Sequence, residues 1–232
     1  MTVRVPAYTA AQVRAAERPL LDAGQPLMRR AATALAGVIG ERLTDASAPH
    51  ALVIAGSGDN GGDALYAASE LGEGVEVDVL AVGSRVHHDG LVAAVEAGAR
   101  QVSVDEAVAV AAASGYTVVV DGILGIGTSP DPALRGAARE AVSRLLDAMG
   151  DGMPRTVAVD LPSGLQPDTG VADDIVLPAA VTVTFGAVKA GLVVGRGPDL
   201  CGDLVLVDLG LGPGLADEKP AGEASVTRIL EA

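Results

Sequence analysis

The chain has 232 residues, of which 49% are hydrophobic and 20% are charged, and its formal net charge at pH 7 is −14. A largely disordered chain is excluded, because disorder requires low hydrophobicity and high charge. The length suggests one or two domains. The negative charge and the scarcity of aromatic residues argue against nucleic-acid binding, which needs a basic surface and rings for base stacking.

The cysteine content and the distribution of charge predict a cytoplasmic location. Cys201 is the single cysteine, so no intrachain disulfide can form, which is typical of proteins in a reducing compartment. The N-terminal residues lack the apolar core of a secretory signal. Uncharged stretches such as residues 107–120 are too short to span a bilayer. We therefore expect a soluble cytoplasmic protein that does not insert into membranes.

The N-terminal part of the chain predicts two helices. Thr9 is a suitable N-cap for the first helix, and Gly24 can end that helix before Pro26. The second helix is predicted over residues 26–43, where apolar side chains recur at helical spacing.

From residue 50 onward, short strands alternate with helices. Runs rich in Val and Ile predict strands over residues 52–55, 75–82, 117–120, 156–159, 181–185 and 204–207. Helices are predicted over residues 62–71, 89–97, 105–113 and 133–149. This alternation predicts a doubly wound, Rossmann-like α/β fold, with a mainly parallel sheet covered by helices on both faces and two leading helices. After residue 181 the strands follow one another without a full helix, which leaves their pairing open.

Residues 1–211 are predicted to form one domain. Residues 212–232 are rich in Pro, Gly and charge, which indicates a linker or frayed end with room for one terminal helical turn.

The loops that follow the predicted strands are the candidate functional site, because open parallel sheets bind ligands outside the carboxyl ends of their strands. Four of these loops are rich in glycine and polar residues. They read GSGDNGGD (56–63), DGILGIGT (121–128), DLPSG (160–164) and GAVKAG (186–191). We expect the four loops to converge on one edge of the sheet.

The first loop matches the G-x-G-x-x-G pattern of dinucleotide-binding folds between residues 56 and 61. Two observations argue against an ordinary NAD(P) redox site. Asp78 lies inside the second predicted strand rather than at its end, where a ribose partner belongs, and Asp59 and Asp63 would repel a pyrophosphate. The amides of the loop and the helix N-terminus can still hold an anion.

Oxygen-bearing side chains just past the strand ends suggest a cation site. Asn60, Asp121 and Ser163 each follow a different strand, and neither His nor Cys occurs in these loops. This donor set disfavours zinc and iron and favours a hard cation. The spacing of the donors along the sequence does not determine which cation it is.

The motif series GSGDNGGD, VVDGILGIG, AVDLPSGL and TFGAVKAGL resembles that of the NAD(P)HX epimerase family, the YjeF N-terminal domain. The resemblance extends over residues 8–211 and includes the two leading helices. The sequence differs from the family's usual NNGGDG, because Asp59 replaces the first Asn and Ala64 the last Gly.

The resemblance implies a Rossmann-like homodimer that converts the R epimer of hydrated NADH or NADPH to the S epimer. An ADP- or ATP-dependent dehydratase is then the functional partner, and the hydrated dinucleotide is the substrate, so no redox cofactor is expected. A potassium ion would be held by Asn60, Asp121 and Ser163. The substrate would contact Asp59, Asn60, Gly61, Gly62, Asp63, Gly125, Ile126, Gly127, Thr128, Ser129, Pro130, Asp131 and Asp160. Lys189 is a further candidate, as a ligand for a phosphate group.

Epimerisation at a carbon beside a ring nitrogen can proceed by loss of the hydroxyl group to give a nitrogen-stabilised cation, followed by return of water from the other face. A carboxyl group can act as general acid or base, or stabilise the cation. Asp160 is the first candidate for this role, because it stands at a strand end, and Asp63 is the second.

Each candidate also has a purely structural interpretation. Asp63 could cap the following helix, Asp121 and Asp160 could bind loop amides, Ser163 is a common turn residue, and Lys189 could be an exposed lysine at a strand end. The three histidines are predicted to be solvated, and Cys201 to pack in the core or a loop. Two functional alternatives remain: a non-catalytic module for ligand binding or dimerisation, and the epimerase part of a bifunctional epimerase/dehydratase.

Overall fold

The computed structural model describes residues 2–127, 131–150 and 155–232. In chain order, the described elements are β1 (Val3–Tyr8), α1 (Ala10–Asp22), α2 (Leu27–Leu43), β2 (His50–Ala55), α3 (Asp59–Ser69), β3 (Glu76–Ala81), α4 (His88–Glu96), β4 (Arg100–Gln101), α5 (Val104–Ala112), β5 (Val118–Gly122), α6 (Gly136–Met149), β6 (Arg155–Val159), β7 (Val181–Phe185), β8 (Val188–Lys189), α7 (Gly197–Leu200), β9 (Asp203–Asp208), α8 (Gly212–Leu215), β10 (Gly222–Val226) and β11 (Arg228–Glu231).

The main sheet has eight strands in the order β11-β9-β7-β6-β5-β2-β3-β4. Every neighbouring pair in it is parallel, including β7 with β9 and β9 with β11. All six predicted strands are confirmed. Of the strands after residue 181, whose pairing was left open, β7, β9 and β11 thus pair in parallel within this sheet.

Side chains of the central strands alternate between two apolar layers, as strand geometry requires. On β2, Val53 packs in the cluster formed with α2 and α3, whereas Leu52 and Ile54 pack in the cluster formed with α5 and α6. Helices thus cover both faces of the sheet, as predicted for a doubly wound fold.

The two leading helices form as predicted. Thr9 and Gln12 make a reciprocal capping box at the start of α1. Gly24 follows the end of α1 with a φ of +74°, a conformation that favours glycine.

A second, three-stranded sheet was not predicted. In it β1 pairs with β10 in antiparallel fashion and with β8 in parallel fashion. The prediction of a linker or frayed end is therefore wrong for residues 222–226 and 228–231, which pair with β1 and β9. The physical reason is that Ala224 and Val226 alternate into the core, a pattern concealed by the Gly- and Pro-rich composition around them.

The order of the strands reverses beside β2, since α3 leads from β2 to β3 on one side while β5 lies on the other. The carboxyl ends of β2 and β5 therefore border the crevice where doubly wound folds bind ligands. None of the helices in the described part of the chain combines the length and hydrophobicity needed to span a membrane.

Candidate functional site

A cavity of about 400 Å³ opens at the carboxyl ends of the strands, and we call it the strand-edge cavity. The loops after β2, β5, β6 and β7 reach it, as predicted, and α1 adds one wall. Its lining residues are Glu17, Gly56, Ser57, Gly58, Asp59, Asn60, Asp63, Val82, Gly83, Ile123, Leu124, Gly125, Ile126, Gly127, Ala138, Asp160, Phe185 and Lys189.

Backbone contact between the loops after β2 and β5 shapes one side of the cavity. The amide of Gly56 donates to the carbonyl of Gly122 at 3.0 Å. A Cβ atom on Gly56 would lie 1.9 Å from the carbonyl oxygen of Ile123, so no larger residue fits without a shift of the backbone.

Asp63 is a buried carboxyl group, on the second turn of α3. Its side chain is 6% exposed, and its Oδ1 has no hydrogen-bond partner among the described residues. Burial raises the pKa of Asp63 well above its ordinary value, and the negative charges of Asp160, Asp59 and Glu17 raise it further. Asp63 does not cap the helix, because α3 begins at Asp59.

Asp160 and Lys189 form a buried ion pair. The Asp160 Oδ1 also accepts hydrogen bonds from the amide of Phe185 at 3.1 Å and the hydroxyl of Thr184 at 3.2 Å. Asp160 has a φ of +68°, a conformation that non-glycine residues keep where the surroundings impose it.

The Lys189 side chain is 1% exposed, so the interpretation as an exposed lysine is wrong. Its ammonium group donates to Asp160, to the carbonyl of Phe185 at 2.8 Å and to Thr184 Oγ1 at 3.3 Å. These three bonds use its three hydrogens, which leaves none for the predicted phosphate contact.

Asn60, Asp121 and Ser163 lie around the backbone of Leu124. Asn60 Nδ2 donates to the carbonyl oxygens of Leu124 at 3.1 Å and Val159 at 2.5 Å, and Ser163 Oγ accepts from the Leu124 amide at 2.8 Å. The Ser163 amide in turn donates to Asp121 Oδ2 at 2.8 Å. The predicted trio is therefore close together in the fold.

The carboxylate, amide oxygen and hydroxyl of this trio are the donor types that a hard cation prefers. The Leu124 and Val159 carbonyls accept from Asn60 Nδ2, so the Asn60 amide would have to rotate before they could join such a site. Asp121 is fully buried, and burial raises its pKa. Within residues 2–127, 131–150 and 155–232, no lysine, arginine or histidine forms an ion pair with it. A bound cation would compensate the negative charge of Asp121. The loop amides of Ile123 and Ser163 also donate to its carboxylate, as the purely structural interpretation of Asp121 expects.

The remaining predicted residues divide into four groups. Asp59, Gly125, Ile126 and Gly127 line the cavity, whereas Gly61 and Gly62 lie in α3 against Gly56 and Met28. Asp131 is not among the lining residues, and its carboxylate binds Arg135 at 2.6 Å and the amide of Ala133 at 3.1 Å. Thr128, Ser129 and Pro130 lie outside the described residues.

Glu17 is a residue of the cavity wall that sequence reasoning missed. It lies on α1, and burial raises its pKa above the ordinary value. Glu17 lies outside the four strand-end motifs. The sequence shows it only as an acidic residue in the first predicted helix, which does not indicate a place in the site.

The histidines and the cysteine lie outside the cavity. His50 is mostly buried and bonds to Asp78 at 3.1 Å, so the prediction of a solvated side chain is wrong for it. His87 is half-buried and caps α4 by accepting from the Gly90 amide. His88 is exposed. Cys201 is buried in the core, as predicted.

The fold and the cavity define a doubly wound α/β protein with a carboxylate-lined cavity, the candidate ligand site, at the switch point of its sheet. The chain belongs to the family described as YjeF-related protein N-terminus, whose model matches residues 24–191. A crystal structure of yeast ynu0 is similar with a TM-score of 0.71 and 20% identity, covering 83% of this chain and 85% of that chain, which supports the fold.

Curated relatives include proteins of similar length and longer ones. An NAD(P)H-hydrate epimerase of Microbacterium testaceum is 56% identical over 232 residues, which cover 99% of this chain and 88% of the relative. One of Clavibacter michiganensis is 51% identical over 88% of this chain and 90% of the relative. A bifunctional NAD(P)H-hydrate repair enzyme of Mycobacterium tuberculosis is 39% identical over 88% of this chain, and the matched part is 41% of that protein.

Proposed function

We propose that the protein is an NAD(P)H-hydrate epimerase, an isomerase that interconverts the R and S epimers of hydrated NADH and NADPH. The observation that carries this proposal is the strand-edge cavity, which is lined by the buried carboxyl group of Asp63, with its Oδ1 unpartnered among the described residues, and by the Asp160–Lys189 pair. The names of relatives that are 50–56% identical support the same activity.

Epimerisation needs acid–base groups and no redox partner. The hydroxyl group leaves as water after protonation, and the lone pair of the ring nitrogen forms a C=N bond to the cationic carbon. Water then adds from the opposite face, its oxygen bonds to the carbon, the electron pair returns to nitrogen, and the added water releases a proton to a base. General acid–base catalysis of such steps typically contributes about 10²–10⁴-fold to the rate.

Asp63 is suited to the role of general acid. Its raised pKa keeps a proton on the carboxyl group at pH values where an ordinary aspartate has lost it. The hydrogen-bonding capacity of Oδ1 is unused within the described part of the chain, which leaves the group available to a ligand.

Asp160 is suited to stabilising the cation. Lys189, Thr184 and Phe185 all donate to its Oδ1, which fixes the orientation of the carboxylate. A fixed negative charge at the point where positive charge develops is an effective form of electrostatic stabilisation. Sequence reasoning ranked Asp160 first as the acid–base group, and the contacts favour Asp63 for proton transfer instead.

Asn60, Asp121 and Ser163, with the carbonyls of Leu124 and Val159, would hold a potassium ion. Bound there, the ion would supply positive charge that compensates Asp121 and stabilises the loops after β2, β5 and β6. The support for this part of the proposal is the fully buried carboxylate of Asp121, whose Oδ2 accepts from the amide of Ser163, the residue whose hydroxyl in turn binds the Leu124 amide.

An ADP- or ATP-dependent dehydratase would consume the S epimer, in keeping with the bifunctional repair enzymes among the relatives. Our proposal also includes a cytoplasmic homodimer, on the basis of the family resemblance. Sedimentation equilibrium tests the dimer, and a single species of monomer mass at micromolar concentration would contradict it.

A coupled assay tests the activity. R-NADHX is supplied with an S-specific dehydratase and ATP, and recovery of NADH absorbance is followed with and without this protein, in potassium and in lithium. We expect the R fraction to recover faster with the protein, and faster in potassium. Equal recovery with folded protein and without it would contradict the proposed function.

Variants connect the activity with the cavity. We expect Asp160→Asn and Asp63→Asn to lower turnover by about 100-fold or more, while a dinucleotide analogue still binds. Asp45→Asn is the matched control, because Asp45 is exposed and lies outside the cavity lining. An Asp160→Asn variant with normal turnover would refute the role of Asp160.

A further inference from the structure

We infer that Arg85 binds the 2′-phosphate group of hydrated NADPH, so that the protein prefers hydrated NADPH to hydrated NADH. This inference rests on the proposed epimerase function and deepens it, because it names the preferred substrate. It follows from the uneven distribution of charge along the strand-edge cavity, from the position of the loop after β3, and from the residues that this loop contains.

The carboxyl groups of the strand-edge cavity lie toward one end of it. Glu17, Asp59 and Asp63 also line a second cavity of about 250 Å³ between α1 and α2, together with Phe185 at the end of β7. Asp160 follows β6, the strand beside β7. Positive charge develops on the hydrated ring during the proposed reaction, so electrostatic stabilisation favours this acidic end for the ring.

The loop after β3, residues 82–87, borders the opposite end of the cavity. Val82 and Gly83 line the strand-edge cavity but not the second one. In the main sheet, β5 and β2 lie between β6 and β3. Neighbouring strands are about 4.8 Å apart, so the two ends are separated by roughly 14 Å. A dinucleotide with its ring at the acidic end can therefore extend across the glycine loop and place its adenosine half beside β3.

Contacts with the glycine loop after β2 hold the loop after β3 at the cavity. The Arg85 amide donates to Ser57 Oγ at 3.3 Å, and Ser57 lines the cavity. A Cβ atom on Gly83 would lie 2.2 Å from the same hydroxyl oxygen, so the two loops are in close contact. The backbone of Arg85 is thus attached to a residue of the cavity wall, and an arginine side chain is long enough to reach a group at the rim.

The end of β3 is the place where dinucleotide-binding folds recognise the adenosine ribose. A carboxylate there accepts from the 2′-hydroxyl of NAD, whereas an arginine accommodates the 2′-phosphate of NADP. The loop reads VGSRVH, which contains Arg85 and no carboxylate. Asp78 does not substitute for one, because it is 2% exposed and its carboxylate already accepts from Arg100 and Tyr116.

The guanidinium group of Arg85 is available to a ligand. Its residue is exposed, and within residues 2–127, 131–150 and 155–232 it forms no ion pair. A guanidinium group can make two parallel hydrogen bonds to a phosphate group. Hydrated NADH has a neutral hydroxyl at this position, so it gains no such charge-assisted contact.

Two nucleotides that differ by the 2′-phosphate test the binding without turnover. Adenosine 2′,5′-bisphosphate and AMP are titrated into wild type, Arg85→Ala and Arg155→Ala by isothermal calorimetry. Arg155 is the matched control, because it is exposed at the amino end of β6, on the edge of the sheet away from the cavity. We expect wild type and Arg155→Ala to bind the bisphosphate at least about tenfold more tightly than AMP, and Arg85→Ala to lose this difference.

The same preference should appear in turnover. We expect the ratio of kcat/KM for hydrated NADPH to that for hydrated NADH to fall by about tenfold or more in Arg85→Ala, and further in Arg85→Glu, which repels the phosphate. The ratio should not change in Arg155→Ala.

Two results would overturn the inference. One is equal binding of the two nucleotides by wild type, and the other is an equal loss for both substrates in Arg85→Ala, which would indicate a contact with the pyrophosphate. Failure of the wild-type protein to epimerise either substrate, with its preference for the bisphosphate intact, would instead contradict the proposed function.

Discussion

At the scale of single residues, Asp63 links stability to activity. Its pKa is raised from 3.8, so the folded state binds the proton more tightly than the unfolded state does. Stability from this group is fully present below the unfolded pKa and is lost as pH rises through the folded pKa. The free energy of unfolding should therefore fall less with rising pH in Asp63→Asn than in wild type.

Urea unfolding at a series of pH values between about 4 and 8 measures this difference, since the raised native pKa lies above the ordinary value. Asp45→Asn serves as control and should follow the wild-type curve. Parallel curves for wild type and Asp63→Asn would show that Asp63 has an ordinary pKa.

The same protonation should appear in the kinetics. If protonated Asp63 is the general acid, kcat/KM falls as pH rises through its pKa in the free enzyme. We expect this alkaline limb to lie well above the ordinary aspartate range and to be absent from the residual activity of Asp63→Asn. If the alkaline decrease in kcat/KM persisted unchanged in Asp63→Asn, the decrease would arise from another titrating group.

Lys189 is a residue whose removal should affect folding as well as activity. Lys189→Met leaves Asp160 buried without its cation, and removing one partner of a buried pair typically costs about 3–5 kcal/mol. The double variant Asp160→Asn/Lys189→Met should recover part of that loss, because no charge is then left unpaired. Thermal or urea unfolding measures both, and additive losses would contradict the coupling between the two residues.

At the scale of elements, the glycine loop after β2 depends on close backbone approach. A Cβ on Gly56 would lie 1.9 Å from the Ile123 carbonyl oxygen, whereas a Cβ on Gly58 would meet nothing within 4 Å. We expect Gly56→Ala to lose about 1–3 kcal/mol of stability and dinucleotide-analogue binding, and Gly58→Ala to change stability little. Similar effects of the two substitutions on unfolding would show that the loop contact is not what constrains Gly56.

Elements buried on both faces could be predicted from the sequence, because short apolar runs rich in Val, such as residues 117–120, are typical of central parallel strands. β1 and β10 could not, since each depends on a partner distant in sequence, and β10 has only alternate residues, Ala224 and Val226, in the core. Boundaries also shifted: α3 begins at Asp59 rather than at residue 62, because the helix starts within the glycine loop.

At the scale of the whole molecule, the last residues complete the fold around the site. β10 pairs with β1, and β1 pairs with β8, which carries Lys189. Val226→Asp would bury an unpaired charge in this sheet and should cost at least about 3 kcal/mol. Ser225→Asp on the exposed face of β10 is the matched control, and equal stability of the two variants would refute a packed C-terminal sheet.

The candidate site was predictable to the extent that it lies at strand ends. Parallel strands bring Asn60, Asp121, Asp160 and Ser163 to one edge whatever the details of packing. The orientation of α1 over that edge is a property of the assembled molecule, so Glu17 could not be recognised. The burial of Lys189 likewise depends on the turn after β7, where Phe185 and Thr184 supply its partners.

The most direct test of the central claim starts from each pure epimer of hydrated NADPH and follows the R/S ratio by chromatography, without a dehydratase. We expect the protein to bring both epimers to the same equilibrium ratio much faster than buffer does, with no NADPH formed. An unchanged rate of interconversion with folded, dinucleotide-binding protein would contradict the epimerase assignment.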